Sequence, residues 1–215
     1  MGARLRRAAA LLAAACLLLA APAARGAGWH DRKAAVAELA PGRLLVASRD
    51  LADPNFRHTV VLLVAYGGDG ALGLVVNRPT RIPFSEAIPE IDALKRLGAT
   101  LYLGGPVARY RVALLVRSPR PLPEGEGRRV FDSVYYTTRL KTLLALARKP
   151  RPEVTLHAYA GHAGWAPGQL ESEILRGGWF VTRADAALLF DRPAAELWPT
   201  LIERVDPRLL QARLE

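Results

Sequence analysis

The stretch DPNFRHTVVLLVAYGGDGALGLVVNRP, residues 53–79, decides the fold. Residues 59–66 (TVVLLVAY) are almost uninterruptedly apolar and β-branched at the start. Such a run suits a strand buried on both faces, because a strand with one wet face alternates apolar and polar residues. Gly67-Gly68-Asp69-Gly70 follows, and glycine and aspartate accept the positive φ values that a tight hairpin needs. Residues 71–76 return as the second strand, and Pro79, having no amide to give to a ladder, is expected to end it. The polar close, Asn77-Arg78-Pro79, has two readings. As a site, the guanidinium would hold a carboxylate or phosphate in two-pronged fashion, with Asn77 orienting it. As structure, Asn77 bonds the turning backbone and Arg78 pairs with a nearby acid. The second is the expectation, with a ligand contact as the alternative.

Working outward, residues 43–48 read as a strand that stops before Asp53-Pro54. Residues 82–97 carry helical pieces broken by Pro83 and Pro89, and residues 100–103 and 111–116 are short strands. RSPRPLPEGEGRR, mixing proline, glycine and both charge signs, reads as an exposed loop. A strand at 130–136 precedes a helix capped by Thr137-Thr138, with Leu140, Leu143, Leu144 and Leu146 on one side. A strand at 153–159, a helix at 167–176 stopped by Gly177, and an extended piece at 179–182 come next. Helices then start at Asp185 and Pro193. Strands and helices alternate without an internal repeat, which predicts one mixed α/β (α+β) domain over residues 43–207. Residues 28–42 form a lead-in and 208–215 a tail.

The chain has 215 residues, 51% hydrophobic and 23% charged, enough apolar content for a core. Part of its formal charge of +10 lies in a segment with the anatomy of an export signal. Arg4, Arg6 and Arg7 precede an apolar run at 8–21, and small residues follow at Ala21, Ala23, Ala24 and Ala27. That run is shorter than the roughly 20 residues a spanning helix needs. Residues 1–27 are therefore expected to be a signal peptide, cleaved between Pro22 and Gly28, leaving a periplasmic or secreted protein with no membrane span. The remainder has 26 basic and 20 acidic side chains, a mildly basic balance that gives little support to nucleic acid as a partner. The only cysteine, Cys16, goes with the signal, and with it any disulfide, thiol nucleophile or thiolate metal site.

Residues that bear chemistry cluster in two glycine-rich segments. Leu103-Gly104-Gly105-Pro106-Val107 lacks the spacing of either nucleotide fingerprint, so it reads as a packing turn whose amides would at most hold an anion. HAYAGHAGWAPGQLESEI, residues 157–174, places His162 between Gly161 and Gly164, adds Trp165, and puts Gln169, Glu171 and Glu173 on the first turns of a helix. His162 beside Glu171 would suit a base, yet no serine sits in a nucleophile elbow. His30, His58, His157 and His162 are scattered without a metal-binding spacing, although His157 and His162 across a glycine turn would have to converge with Asp53 or His58 to make one. No metal and no cofactor are expected. Glu171 and Glu173, two apart on a helix, point in different directions and do not make an acid–base pair. Arg128, Arg129, Arg139, Lys141, Lys149 and Arg151 read as a solvated face.

LADPNFRHTVVLLVAY, GGDGALGLVVNRP, LYLGGPV and YAGHAGWAPGQLESEILRGGWF, in that order, resemble the YqgE/AlgH family of bacterial proteins. The resemblance covers residues 43–205 and implies one compact α/β domain with helices around a strongly curved, partly barrel-like sheet. It implies a signature on Asp53, Phe56, Gly70, Gly73, Asn77, Arg78, Pro79, Gly104, Gly105, Pro106, Gly161, Gly164, Trp165, Gly168, Gln169, Leu170, Glu171, Glu173 and Trp179. The family takes its name from a role proposed in regulating alginate synthesis, and its members are treated as cytoplasmic, the alternative localisation. Tyr66 stands where the family has histidine, His162 and Gly177 also depart from its pattern, and so does the signal-like start. The expected function is a non-enzymatic binding or regulatory protein with an unidentified protein or small-molecule partner. The alternatives are an enzyme acting on a small molecule or anion through Asn77, Arg78 and His162, and a DNA-associated transcriptional regulator.

Overall fold

The hairpin read from residues 59–76 lies in the middle of a ten-stranded sheet in a computed structural model that describes residues 27–211. Apart from Ala27, the expected signal peptide falls outside the described residues. The strands are β1 (Arg43–Ala47), β2 (Val60–Gly67), β3 (Gly70–Val75), β4 (Pro79–Pro83), β5 (Thr100–Leu103), β6 (Val107–Arg117), β7 (Arg128–Phe131), β8 (Val134–Thr137), β9 (Thr155–Trp165) and β10 (Trp179–Arg183). Their spatial order is β10-β1-β2-β3-β9-β6-β8-β7, with β5 on β9 and β4 on β5. Among the described residues only β5 and β9 pair in parallel. The helices are α1 (Ala27–Ala37), α2 (Phe84–Ala87), a 3-10 turn (Asp92–Arg96), α3 (Leu140–Arg148), α4 (Gln169–Leu175), α5 (Ala186–Phe190), α6 (Ala194–Val205) and α7 (Pro207–Gln211).

Residues 60–64 are fully buried because both faces of β2 are covered. Val60, Leu62 and Val64 face a core shared with β6–β9 and plugged by Leu189 of α5 and Leu197, Leu201 and Ile202 of α6. Val61 and Leu63 face the opposite layer, under Leu170 and Ile174 of α4. A third cluster joins Leu114, Val116 and Leu156 to Leu143, Leu146 and Ala147 of α3. Each fully buried leucine here contributes roughly 2 kcal/mol by removal from water. The sheet curls until its far edge meets its start: Arg128 of β7 donates to the Val64 carbonyl, and Phe131 packs on Gly42 just before β1. The result is one compact α/β domain with a strongly curved, partly barrel-like sheet flanked by helices.

Four details differ from the sequence reading. Past the end of β3, Pro79 opens β4, an edge strand where a missing amide costs nothing and which takes in Ile82 and Pro83, where helical pieces were expected. The strand expected at 130–136 is a hairpin, turning at Asp132 with φ 38°. Thr137 and Thr138 do not cap α3, whose first flanking residue is Arg139; the Thr137 hydroxyl bonds the Glu126 carbonyl instead. Finally, the glycines at 161 and 164 form no turn, because β9 runs straight through them to Trp165. At Gly161 the short link from β5 to β6 crosses β9. Gly161 has φ +75°, and a β-carbon there would sit 2.6 Å from the Gly105 carbonyl oxygen. Gly104 is held in the crossing by its amide to the Ala160 carbonyl and its carbonyl to the Val75 amide, both 2.8 Å. The Gly104-Gly105 segment is thus a point of close backbone approach.

Candidate functional site

The local sequence of residues 53–58 makes a tight, exposed loop. Asp53 nucleates it: its carboxylate accepts the Asn55 amide at 2.8 Å, and its carbonyl accepts the Phe56 and Arg57 amides at 2.9 and 2.8 Å. That is an Asx-type turn, for which aspartate before proline is well suited. Asp53, Asn55, Arg57 and His58 are exposed, whereas Phe56 turns inward.

Two side chains from the end of β3 clamp this loop. Asn77 accepts the Val60 amide and donates to the His58 carbonyl, each at 2.9 Å, continuing the β2–β3 ladder by one side chain. Arg78 donates to the carbonyls of Asn55 at 2.7 Å, Arg57 at 3.2 Å and Pro54 at 3.4 Å. The acid partner expected for Arg78 is replaced by these carbonyls. The turn directs several C=O groups to one side, and a planar fork of donors matches that array better than a single carboxylate would. Burial lowers the Arg78 pKa, while the Asp53 charge acts in the opposite direction.

Phe56 anchors the loop from below. Its ring stacks on Trp165 at 6.0 Å and meets Trp179 edge-on at 5.5 Å, and the two indoles are T-shaped at 6.1 Å. Glu173 closes the cluster. One of its oxygens accepts the indole N–H groups of Trp165 and Trp179, at 3.0 and 2.9 Å, and the other accepts the Gln169 amide at 3.0 Å. Gln169 in turn accepts the Ala166 amide at 3.1 Å. Glu171 faces another way and accepts the Tyr66 hydroxyl at 2.6 Å, which pushes that phenol up to about 12.

Asp53, Asn77 and Arg78 therefore shape the loop that carries Phe56, Trp165 stacks on its ring, Gln169 joins through Glu173, and Glu171 is bound to Tyr66 near the tip of the hairpin. Gly104 and Gly105 belong to the crossing at Gly161, and Gly164 simply pairs with Leu72. His162 lies on β9 opposite Val107, its pKa lowered by burial and by Arg111. His157 is wedged between Tyr102 and Phe190, and His58 lies against Trp198. The histidines thus sit apart, and among the described residues no group of three or more His, Cys, Asp or Glu is placed to hold a metal ion. Phe56 and Glu173 enter the sequence reading through the family signature and Tyr66 as a departure from it, and none of the three is a candidate binding residue there. The Gln169–Glu173 spacing of four on a helix was a readable signal for Glu173; the 105-residue separation of Tyr66 from Glu171 left none.

Residues 44–209 match a family model described as AlgH-like. A UPF0301 protein of Paracoccus denitrificans is 35% identical over 176 residues, covering 79% of this chain and 92% of the relative. One from Anaeromyxobacter is 37% identical over 177 residues, covering 78% and 88%. Among solved structures, the solution structure of the AlgH protein from Pseudomonas aeruginosa aligns with a TM-score of 0.62 at 32% identity, covering 80% of this chain and 93% of that one. A crystal structure of a Corynebacterium diphtheriae protein aligns with a TM-score of 0.68 at 25% identity, covering 80% and 91%.

Proposed function

The chain belongs to the AlgH-like family, and on that premise we propose that it is a non-enzymatic recognition protein whose working surface is the loop at residues 53–58. The observation carrying this reading is where the polar signature groups direct their bonds. Both Glu173 oxygens, the Asn77 amide and the Arg78 guanidinium are engaged with the protein itself, and together they hold one exposed loop. Groups so committed are poorly placed to move protons or attack a substrate, and His162 lies apart from them on β9, which weighs against an enzyme built on Asn77, Arg78 and His162 together. They are well placed to fix a loop before it meets a partner. Holding a loop in its bound shape removes the ordering cost that association otherwise carries.

A photo-crosslinking residue at Asn55, compared with one at exposed Glu90, tests the reading in the native cell. A discrete protein adduct from position 55 alone, lost when Phe56→Ala frees the anchor, is expected. The same adducts from both positions, or adducts from 55 indifferent to Phe56→Ala, contradict it.

A further inference from the structure

We infer a second ligand site, for a small organic anion, in the cavity between the 3-10 turn and the start of β9. This cavity of about 390 Å³ shares no residue with the 53–58 loop or its clamp, so the inference stands or falls apart from the recognition reading. Two arginines, Arg96 and Arg151, line it, and among the described residues no acid does; Arg151 also borders the neighbouring cavity beside α3. Among the described residues neither has a hydrogen-bond or ion-pair partner. That sets them apart from Arg117 and Arg208, which are bonded to Asp191 and to Asp50 and Asp206.

The remaining polar lining brings no negative charge to oppose an anionic head. Thr100 and Thr155 are uncharged members of the lining, and the Thr155 hydroxyl already accepts from Arg117 at 3.4 Å. His157 adds no charge to this wall: its ring is stacked between Tyr102 and Phe190, and burial with the nearby Arg117 holds its pKa down at about 4. The carbonyl end of α3 lies on the same rim through Leu146 and Pro150 and opposes an anion, which makes the two guanidiniums the deciding charges. The rest of the wall is apolar, with Leu97, Leu146 and Val154 prominent. A pocket of this size with apolar walls and two arginines in its lining takes a ligand with a carboxylate or phosphate head and a short hydrocarbon or aromatic body. A free inorganic ion would leave the apolar wall unused.

Amide-resolved NMR titration of the full chain with benzyl phosphate, phenylacetate, inorganic phosphate and benzylamine tests this. Saturable shifts at residues 97–100 and 154–157 are expected with benzyl phosphate or phenylacetate, and the tighter of the two identifies the head group. Arg96→Gln with Arg151→Gln should weaken that binding by at least ~10-fold, as loss of charge-assisted contacts does. Arg96→Gln alone, at an exposed position, should weaken it severalfold and keeps the test valid if the double variant does not fold. Inorganic phosphate or benzylamine binding as tightly as the tighter of those two ligands, no localised shifts, or shifts untouched by either variant would overturn the inference.

Discussion

Arg78 and Glu173 are side chains of ordinary composition whose roles come from what surrounds them. Arg78→Ala removes three bonds to carbonyls that water can partly replace, so the expected loss is about 1–2 kcal/mol in urea unfolding. A buried ion pair would cost about 3 kcal/mol or more, because its partner would be stranded. Arg78→Lys should rescue little, since one ammonium cannot span carbonyls that a planar fork reaches together. Glu173→Ala leaves two buried indole N–H groups without an acceptor and should cost roughly 2–4 kcal/mol; Glu173→Gln, which keeps an acceptor oxygen, should recover most of it. His157 carries a pH dependence. Its folded pKa of about 4 lies below the usual 6.5, so above 6.5 neither state is charged and the group is neutral to stability. Between 6.5 and 4 the unfolded chain binds the proton and the folded protein does not, so stability falls as pH falls. The loss approaches about 3 kcal/mol, and unfolding free energies at pH 7 and pH 4 should differ by that much less in His157→Phe.

Elements whose signals are local were legible in the sequence. The buried hairpin, the Asp185 cap of α5, which accepts the Ala187 amide at 2.7 Å, and the left-handed Gly177 after α4 all stand where pattern and turn chemistry put them. Elements defined by distant partners were not. β4 exists because Pro79 pairs with Tyr102, and β9 passes through Gly161 because β6, β5 and β3 hold its edges in turn. Nothing within a short window distinguishes that glycine from a turn glycine. The same limit applied to the site, where Asn77 and Arg78 were recognisable as punctuation but their loop lay about twenty residues upstream. Gly161→Ala combines a left-handed φ with a collision against the Gly105 and Val107 carbonyls, and should cost roughly 2–4 kcal/mol. Gly98→Ala has a left-handed φ of +56° but open space around it, so a much smaller loss there would separate the crossing from backbone strain alone.

Across the whole molecule, the fold places an exposed loop, bonded to Asn77 and Arg78, above an aromatic anchor of Phe56, Trp165 and Trp179 on the curved sheet. Among the described residues no helix is long and apolar enough to cross a membrane. Export remains a prediction from residues 1–27: N-terminal sequencing of protein from its native cell is expected to find a start between Pro22 and Gly28, and an intact cytoplasmic chain from Met1 contradicts it. The recognition reading depends on the loop being ordered before any partner arrives. Amide hydrogen exchange measures this directly, because an exposed loop of ordinary mobility exchanges almost freely. The Phe56, Arg57 and Thr59 amides, bonded to the Asp53 and Phe56 carbonyls, should be protected in the isolated protein. Phe56→Ala should release that protection while the amides of β2 keep theirs. Free exchange at residues 56, 57 and 59 in the unaltered protein would contradict the claim that the signature residues build a preformed recognition loop.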